Sequence, residues 1–380
     1  MKAYLVGGAV RDKLLGLPVT ERDWVVVGSN EDEMLKAGFQ QVGNQFPVFL
    51  HPETKEEYAL ARTEKKTGPG YKGFKVDFSA TTTLEEDLGR RDLTINAIAQ
   101  DEQQNLIDPF NGKKDLEARI LRHVSDAFTE DPVRVLRAAR FMSRFKKFGF
   151  TIADETYTLM ATMVEQNETK NLVPERMWQE LCKALNEDNP ECFQQVLAQC
   201  GALKDILPEL EGDIAEQCLS ALINACHITE EPEIRFAAWL APLKKQKIQA
   251  LCERLKAPND FAKLAILVNE HQRFFEMSTQ LPPPDVLKGL EAVDAFRRPE
   301  RFEQYLLAAE AASKAKPGRQ HWPHPQREYL HTALVQSSAI NAKDLTKTKL
   351  QGKELAEELN THRKAAIAKV KRTYRWAKFD

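Results

Sequence analysis

Two carboxylates, Glu21 and Asp23, stand two residues apart at the start of an apolar, β-branched stretch that ends at Gly28. Such a stretch is typical of a buried strand, and residues i and i+2 of a strand point to the same face. We therefore expect both carboxylates to project towards one point. Neighbouring carboxylates repel each other unless a cation lies between them, and hard oxygen ligands suit Mg²⁺. The pair predicts a magnesium site; the alternative is a polar strand end with two solvated acids.

A glycine-rich turn with the sequence GGAVRD precedes this stretch at residues 7–12. It joins a short apolar strand to a helical segment, and glycine lets backbone N–H groups approach a phosphate closely. Arg11 can supply a cation to the same anion. The turn lacks the spacing of a Walker loop or a dinucleotide-binding motif, and the alternative is a tight turn with a surface arginine. A phosphate-binding turn beside a carboxylate pair favours phosphoryl or nucleotidyl transfer.

The sequence RRDLTINA at residues 90–97 lies within a stretch, 84–99, that we predict to be one helix. Arg91 can bind triphosphate oxygens. Asp92 and Asn96 stand four residues apart and would share a helical face suited to ribose hydroxyls. The alternative is a capped, salt-bridged surface helix, which this motif alone would favour.

The sequence EDPVRVLRAARF at residues 130–141 places an arginine at every third position of a predicted helix, at Arg134, Arg137 and Arg140. Three arginines without matching acids indicate a surface that binds anions or reads bases. The alternatives are a solvated face for the arginines and an N-cap role for Asp131 before Pro132.

Asp131 and Arg134 lie one helical turn apart, so we expect their side chains to sit side by side. Cytosine and adenine place an amino donor beside a ring-nitrogen acceptor, whereas uracil and guanine present the reverse order. A carboxylate next to a guanidinium matches cytosine and adenine and mismatches the other two. The pair therefore predicts selection of CTP and ATP by protein side chains.

The chain changes character near residue 128. Strands and helices alternate before it, with a Gly- and Lys-rich loop expected at 63–73, whereas amphipathic helical segments follow one another after it. The predicted fold class is α+β: an N-terminal part with a mixed sheet, then an all-helical remainder. The helical segments are expected at 132–145, 154–165, 174–186, 190–200, 214–226, 232–240, 245–255 and 259–276.

The totals indicate an ordinary globular protein of 380 residues, 42% hydrophobic and 29% charged, with a net charge of −2. A net charge this close to zero does not by itself indicate a nucleic-acid partner, so any basic surface must be local. The six cysteines include no C-x-x-C pair, which favours reduced thiols and a cytoplasmic location. No apolar stretch is long enough to cross a bilayer, and the sequence indicates neither a membrane nor a protein partner.

The motifs GGAVRD, ERDWVVVG, RRDLTINA and EDPVRVLRAARF follow one another in an order and spacing that resemble the bacterial class II tRNA nucleotidyltransferases, the CCA-adding enzymes. The resemblance is close up to about residue 210. It implies a polymerase β-like nucleotidyltransferase head at 1–125, a helical neck at 126–210, a helical body at 211–342 and a basic helical tail at 343–380. It also implies Mg²⁺ at Glu21 and Asp23 and nucleotide contacts from Gly8, Arg11, Arg91, Asp131, Arg134, Arg137 and Arg140.

The resemblance implies template-independent addition of CCA to tRNA from CTP and ATP, with contacts to the acceptor arm and elbow of the tRNA. From residue 343 the chain has eleven Lys and Arg against five acids, which suits RNA backbone binding, although a solvated tail is equally consistent. The alternatives are a poly(A) polymerase, a CC-adding enzyme and a non-catalytic RNA-binding relative. The loop at 63–73 argues against CC addition, because CC-adding members of the family tend to lack it.

The chain departs from the family in two places. The family usually has Asp where this chain has Glu21, which keeps the same ligand atoms on a side chain one methylene longer. Many relatives also carry a His-Asp phosphohydrolase domain, but Ala241 and Pro242 stand where its His-Asp pair is expected. His227, His271, His321 and His324 are scattered, so we predict no second metal centre.

Overall fold

The structure is a computed structural model that describes residues 1–42, 48–66, 74–319, 323–341 and 352–374. The chain divides into two compact units, Met1–Ile206 and Leu207–Asp380. The first contains a mixed sheet followed by helices, and the second is helical throughout its described part. The α+β prediction is therefore confirmed, whereas the finer division into head, neck, body and tail stays a prediction.

The first unit is built on a seven-stranded sheet in the order β3-β4-β5-β2-β1-β8-β9. Strands β2 and β5 are parallel, and all other neighbours in the sheet are antiparallel. Strands β6 and β7 pair with each other in a separate antiparallel sheet. The strands are β1 (Lys2–Val6), β2 (Asp23–Val27), β3 (Gln40–Val42), β4 (Val48–Leu50), β5 (Glu57–Leu60), β6 (Thr63–Lys66), β7 (Phe74–Asp77), β8 (Ala99–Gln100) and β9 (Leu106–Ile107).

The register of β1 against β2 fixes one edge of the sheet. Val6 at the end of β1 pairs with Asp23 at the start of β2, so Asp23 lies beside the glycine turn that follows Val6. Alternate residues of β2 then enter two cores: Val25 packs in a cluster with Leu88, and Val26 packs on the other face with Phe49. This two-sided burial explains the continuous apolar stretch and holds the acidic strand end rigidly.

The helices of the first unit supply further residues around this edge of the sheet. They are α1 (Gly8–Leu14), α2 (Glu31–Lys36), α3 (Leu84–Gly89), α4 (Gly112–Ala118), α5 (Val133–Phe145), α6 (Asp154–Glu165), α7 (Pro174–Leu185), α8 (Glu191–Gln199) and α9 (Leu203–Ile206). Helix α5 packs against α7 and α8. A short parallel bridge between β10 (Ile120–Leu121) and β11 (Thr151–Ile152) fixes the segments around α5.

The predicted helix at 84–99 is wrong. Helix α3 ends at Gly89, a 3₁₀ turn covers Thr94–Asn96, and the chain then enters β8. Long-range contacts override the local helical preference: the backbone N–H of Thr94 donates to the carbonyl of Arg122 at 2.9 Å, and a Cβ at Gly112 would overlap the Thr94 carbonyl oxygen. Asp92 and Asn96 therefore do not lie on one helical face.

The loop expected at 63–73 is also only partly correct. Its first four residues form strand β6, and residues 67–73 lie outside the described part of the chain. The strand expected at 45–50 is described only as β4, because 43–47 lie outside as well.

The second unit is an assembly of helices. They are α10 (Ala215–Cys226), α11 (Pro232–Leu240), α12 (Lys245–Arg254), α13 (Asn259–Met277), α14 (Pro283–Ala292), α15 (Pro299–Lys314), α16 (Gln326–Ser338) and α17 (Gly352–Thr373). The helical segments predicted from 132 to 276 coincide with helices of the two units to within a few residues. Among the described residues, no helix is long and apolar enough to cross a membrane.

Candidate active site

A cavity of about 940 Å³ in the first unit brings the predicted site residues together. Its lining includes all of them: Gly8, Arg11, Glu21, Asp23, Arg91, Asp92, Asn96, Asp131, Arg134, Arg137 and Arg140. The lining also has the cations Arg62, Arg90, Arg144, Arg176 and Lys183 and the acid Glu187. Ten cationic side chains thus face five acidic ones, which suits a polyanionic ligand.

The carboxylate pair lies at the sheet end of the cavity. Asp23 opens strand β2, but Glu21 lies two residues before the strand, so strand alternation does not orient both. Burial raises the pKa of Asp23, Glu21 adds to the rise, and Arg91 opposes it. Since burial and Glu21 both disfavour the charged form of Asp23, a cation bound beside Asp23 would be stabilised.

The glycine turn requires glycine at its first position. Gly7 has a φ of 67°, and a Cβ there would approach Arg91 Nη1 to 2.9 Å. The next cation, Arg11, is 3% exposed and is not the surface arginine of the alternative. Its Nε and Nη2 donate to Asp12 at 2.8 Å and its Nη1 donates to Asn96 at 2.6 Å. Burial lowers the pKa of Arg11, and Asp12 opposes that fall.

Asp87 anchors two arginines of the lining. Its carboxylate is fully buried and accepts from Arg90 Nη2 at 2.7 Å and from Arg91 Nη2 at 3.3 Å. Burial acts to raise the pKa of Asp87, but Arg90 and Arg91 outweigh it and lower the pKa. The charged carboxylate therefore fixes where these cations stand.

Asp92 and Asn96 meet even though they are not on a helix. Asn96 Nδ2 donates to Asp92 Oδ1 at 3.0 Å, and Arg137 Nε donates to Asp92 Oδ2 at 2.6 Å. Burial acts to raise the pKa of Asp92, yet Arg137 and Asn96 hold it far below its usual range. Asp92 in turn raises the pKa of Arg137. This pair, in which the carboxylate is buried and the guanidinium is partly exposed, ties the segment after α3 to α5. The ribose role stays a prediction.

The arginines of α5 are not a solvated face, because Arg134 and Arg140 are each 7% exposed. The expectation that they lack matching acids is also wrong, since the acids come from other elements. Arg140 Nε donates to Glu180 Oε2 of α7 at 2.6 Å, and Arg137 pairs with Asp92. Arg134 donates to two backbone carbonyls, of Ala127 at 2.5 Å and of Arg90 at 2.6 Å.

Asp131 forms its ion pair with Arg176, and its side-by-side placement with Arg134 stays a prediction, although both residues line the cavity. Arg176 Nη1 and Nη2 donate to Asp131 Oδ1 and Oδ2 at 2.9 and 2.7 Å. The backbone N–H of Val133 also donates to Oδ1, at 3.1 Å, so the carboxylate caps the start of α5 as well. Asp131 therefore both caps α5 and lines the cavity.

Sequence reasoning missed several residues of this network. Arg176 and Glu180 stand four residues apart on α7, and Asp12, Asp87 and Arg144 complete the set. The helical spacing of Arg176 and Glu180 is visible in the sequence. Their partners, about 40 residues away in the chain, are not.

Two family models match this chain. Residues 3–122 match the family described as the poly A polymerase head domain, and residues 149–214 match the family described as the probable RNA and SrmB-binding site of polymerase A. The part of the chain that holds the sheet and the carboxylate pair is thus similar to the head domain of a class of nucleotidyltransferases.

Individual relatives narrow this class. A multifunctional CCA protein of Thioalkalivibrio sulfidiphilus is 50% identical, with 98% of this chain and 99% of the relative covered. The solved structure of the Bacillus stearothermophilus CCA-adding enzyme in complex with CTP is 27% identical, covering 97% of this chain and 89% of its own, with a TM-score of 0.67. The Thermotoga maritima CCA-adding enzyme complexed with tRNA shares the fold at 22% identity over 98% and 91% of the two chains, with a TM-score of 0.68. The chain belongs to the family of the multifunctional CCA proteins, and the resemblance seen in its four motifs is confirmed.

Proposed function

We propose that this protein adds the terminal CCA to tRNA from CTP and ATP without a nucleic-acid template and releases pyrophosphate. The observation that carries the proposal is a cavity in which a carboxylate pair lies with a twofold excess of cationic side chains. A nucleoside triphosphate and an RNA end are both anionic, so this lining suits both. Similarity to multifunctional CCA proteins over nearly the whole chain supports these substrates.

In the reaction, the 3′-oxygen of the tRNA forms a bond to the α-phosphorus of the nucleotide and its proton is lost to solvent. The bond from that phosphorus to the oxygen bridging to the β-phosphate breaks, and pyrophosphate leaves with the electron pair. Arg91, anchored by Asp87, would stabilise the charge that builds on the phosphates. The turn at Gly7 and Gly8 would hold the triphosphate. Arg11, through its hydrogen bonds to Asp12 and Asn96, would keep that turn in place.

Glu21 and Asp23 fit a divalent ion, and we propose Mg²⁺. Both ligands are hard carboxylates, and the raised pKa of Asp23 indicates a site where a cation would favour the charged form. Within the described residues, no three His, Cys, Asp or Glu group together to hold a metal. Mg²⁺ commonly binds one or two carboxylates and substrate phosphates. When bound, Mg²⁺ neutralises phosphate charge and lowers the pKa of the attacking hydroxyl.

Base selection is assigned to the other end of the cavity. The Asp131 carboxylate would accept from the amino group of cytosine or adenine and repel the carbonyls of uracil and guanine. Arg134, Arg137 and Arg140 would complete the nucleotide pocket, with Asp92 and Asn96 near the ribose. Asp131 supports this role because it lines the cavity and is held in a fixed direction.

The helical remainder would bind tRNA by shape and backbone charge. We assign the neck to 126–210, the body to 211–342 and the tail to 343–380, with the acceptor arm and the elbow as the bound parts. Exposed cations on α17, such as Lys369 and Arg372, support a role for the tail. We place the enzyme in the cytoplasm because its substrates are there and because Cys192, Cys200, Cys218 and Cys252 are free thiols.

The test is incorporation of labelled CTP and ATP into tRNA that ends at the discriminator base, with and without Mg²⁺, followed by sequencing of the product ends. We expect three added residues in the order C, C, A, dependent on a divalent ion. Two residues would indicate a CC-adding enzyme, a long A tract would indicate a poly(A) polymerase, and binding without incorporation would indicate a non-catalytic relative. Each of these three results would overturn the proposal.

A further inference from the structure

Asp131 caps the start of α5, but its carboxylate is held by Arg176 of another helix, α7. Arg176, in the first turn of α7, donates to both of its oxygens, and both residues line the cavity. Their side chains are 23% and 27% exposed, for Asp131 and Arg176 respectively. A paired geometry of this kind is charge-assisted and directional, so it fixes the plane of the carboxylate.

The remaining hydrogen-bonding capacity of Asp131 is small and well defined. A carboxylate has about four acceptor positions. Arg176 takes two of them, and the backbone N–H of Val133 takes a third, on Oδ1. The remaining position is on Oδ2. Its direction depends on Arg176, because the Val133 contact alone leaves the carboxylate free to rotate.

Arg134 does not supply this restraint. Its two Nη groups donate to the carbonyls of Ala127 and Arg90, and its side chain is turned to the backbone there. We propose that Arg176 is a positioning residue for base selection: it aims Asp131 so that one oxygen accepts from the amino group of cytosine or adenine. This inference rests on the proposed function and deepens it, because it names the residue that sets nucleotide choice through Asp131.

The next turn of α7 provides a matched comparison. Glu180, four residues after Arg176, pairs with Arg140 across the same contact between α5 and α7. If the Arg176 pair only tied the two helices together, losing either pair would have the same kind of effect. If Arg176 orients Asp131, its loss alone should alter the choice between nucleotides.

The experiment compares Arg176→Ala, Arg176→Lys, Glu180→Gln and Arg254→Ala in the full chain. Arg254 makes an equivalent two-point pair with Glu209 in the second unit, outside the cavity lining. The readouts are the ratio of kcat/KM for CTP over UTP on tRNA ending at the discriminator base, and the ratio of Kd values for the same nucleotides. We expect Arg176→Ala to lower both ratios several-fold, up to the roughly 10-fold expected from loss of Asp131 itself. Arg176→Lys, which keeps the charge but not the two-point geometry, should fall between this variant and wild type.

The controls decide between orientation and a simple tie. We expect Glu180→Gln to raise KM for CTP and UTP together, with the ratios unchanged, and Arg254→Ala to change only the thermal unfolding temperature. Wild-type ratios in Arg176→Ala, or an equal loss in Glu180→Gln, would overturn the inference. If Arg176→Ala does not fold, wild-type ratios in Arg176→Lys would overturn it. Because Kd is measured without turnover, failure of CCA addition in the wild type would be seen separately.

Discussion

At the sheet end of the cavity, Glu21 and Asp23 form no ion pair with any described residue, whereas at the helix end the arginines of α5 already have partners. Arg137 pairs with Asp92, Arg140 with Glu180, and Arg134 with two carbonyls. One end therefore has unsatisfied negative charge, and the other has a rigid set of satisfied cations.

This difference fits two separate roles: metal binding and chemistry at the sheet end, and base selection at the helix end. A site that must bind a divalent ion and developing charge needs acids that are not already neutralised. A surface that must distinguish one base from another needs donors and acceptors that do not move, because a mobile group would adapt to the wrong base. The comparison predicts that substitutions at the two ends change different measured quantities.

The largest effect is expected at the sheet end. Asp23→Asn should lower the incorporation rate by about 1000-fold or more, because a metal-binding carboxylate contributes several kcal/mol to catalysis. The measurement is single-turnover incorporation of CTP, with tRNA binding measured in parallel and expected to stay near wild type. Glu21→Asp, which restores the residue usual in the family, should stay active. Full activity of Glu21→Ala would disprove the two-carboxylate assignment.

The second effect concerns the rigidity of the helix end. Asp92→Asn removes the charge from the buried end of the Asp92–Arg137 pair, while the partly exposed Arg137 keeps Glu180 at 4.0 Å. The free energy of unfolding at pH 7 should therefore fall by about 1–3 kcal/mol. The folded pKa of Asp92 is lowered, so its stabilising effect exists above the unfolded pKa and is lost as the pH falls below it. Denaturant unfolding should therefore show variant and wild type converging in acid. A constant difference across pH would contradict this, and the exposed Asp285→Asn is the control.

The third effect separates selection from capping at Asp131. Asp131→Ala should lower the preference for CTP over UTP by about 10-fold, since the carboxylate that accepts from the cytosine amino group and repels the uracil carbonyl is gone. It should also lower the free energy of unfolding by about 1 kcal/mol through loss of the cap at Val133. Nucleotide competition assays measure the first quantity and thermal unfolding the second. Lower stability with wild-type selectivity would reduce Asp131 to a cap.

The smallest effect is expected from the tail. Lys369 and Arg372 are exposed on α17, whereas Lys371 donates to the backbone carbonyls of Gln280 and Leu281 and is structural. Neutralising Lys369 and Arg372 to Gln should weaken tRNA binding and reduce the slope of log K against log salt by about one to two. Lys288→Gln, an exposed side chain of α14, is the control. An unchanged salt slope would leave the tail as a solvated helix.

Local pattern was sufficient to predict the fold class, strand β2 and the start of α5, because a β-branched apolar stretch and the Asp131-Pro132 start are short-range signals. It failed at residues 84–99, where contacts to Arg122 and Gly112 replace a helix with a 3₁₀ turn and a strand. It found the residues of the cavity but missed the partner of Asp131, because Arg176 stands 45 residues away in the chain. Motif order identifies which residues meet; only the tertiary structure determines which atoms pair.

The most direct test of the division between the two ends is nucleotide binding by Asp23→Asn. Equilibrium binding of CTP and UTP to this variant should keep the wild-type ratio of Kd values while incorporation is lost, because Asp131 and Arg176 are untouched. If the preference for CTP disappears together with turnover, chemistry and selection are not separated in this cavity, and the division of work proposed here is wrong.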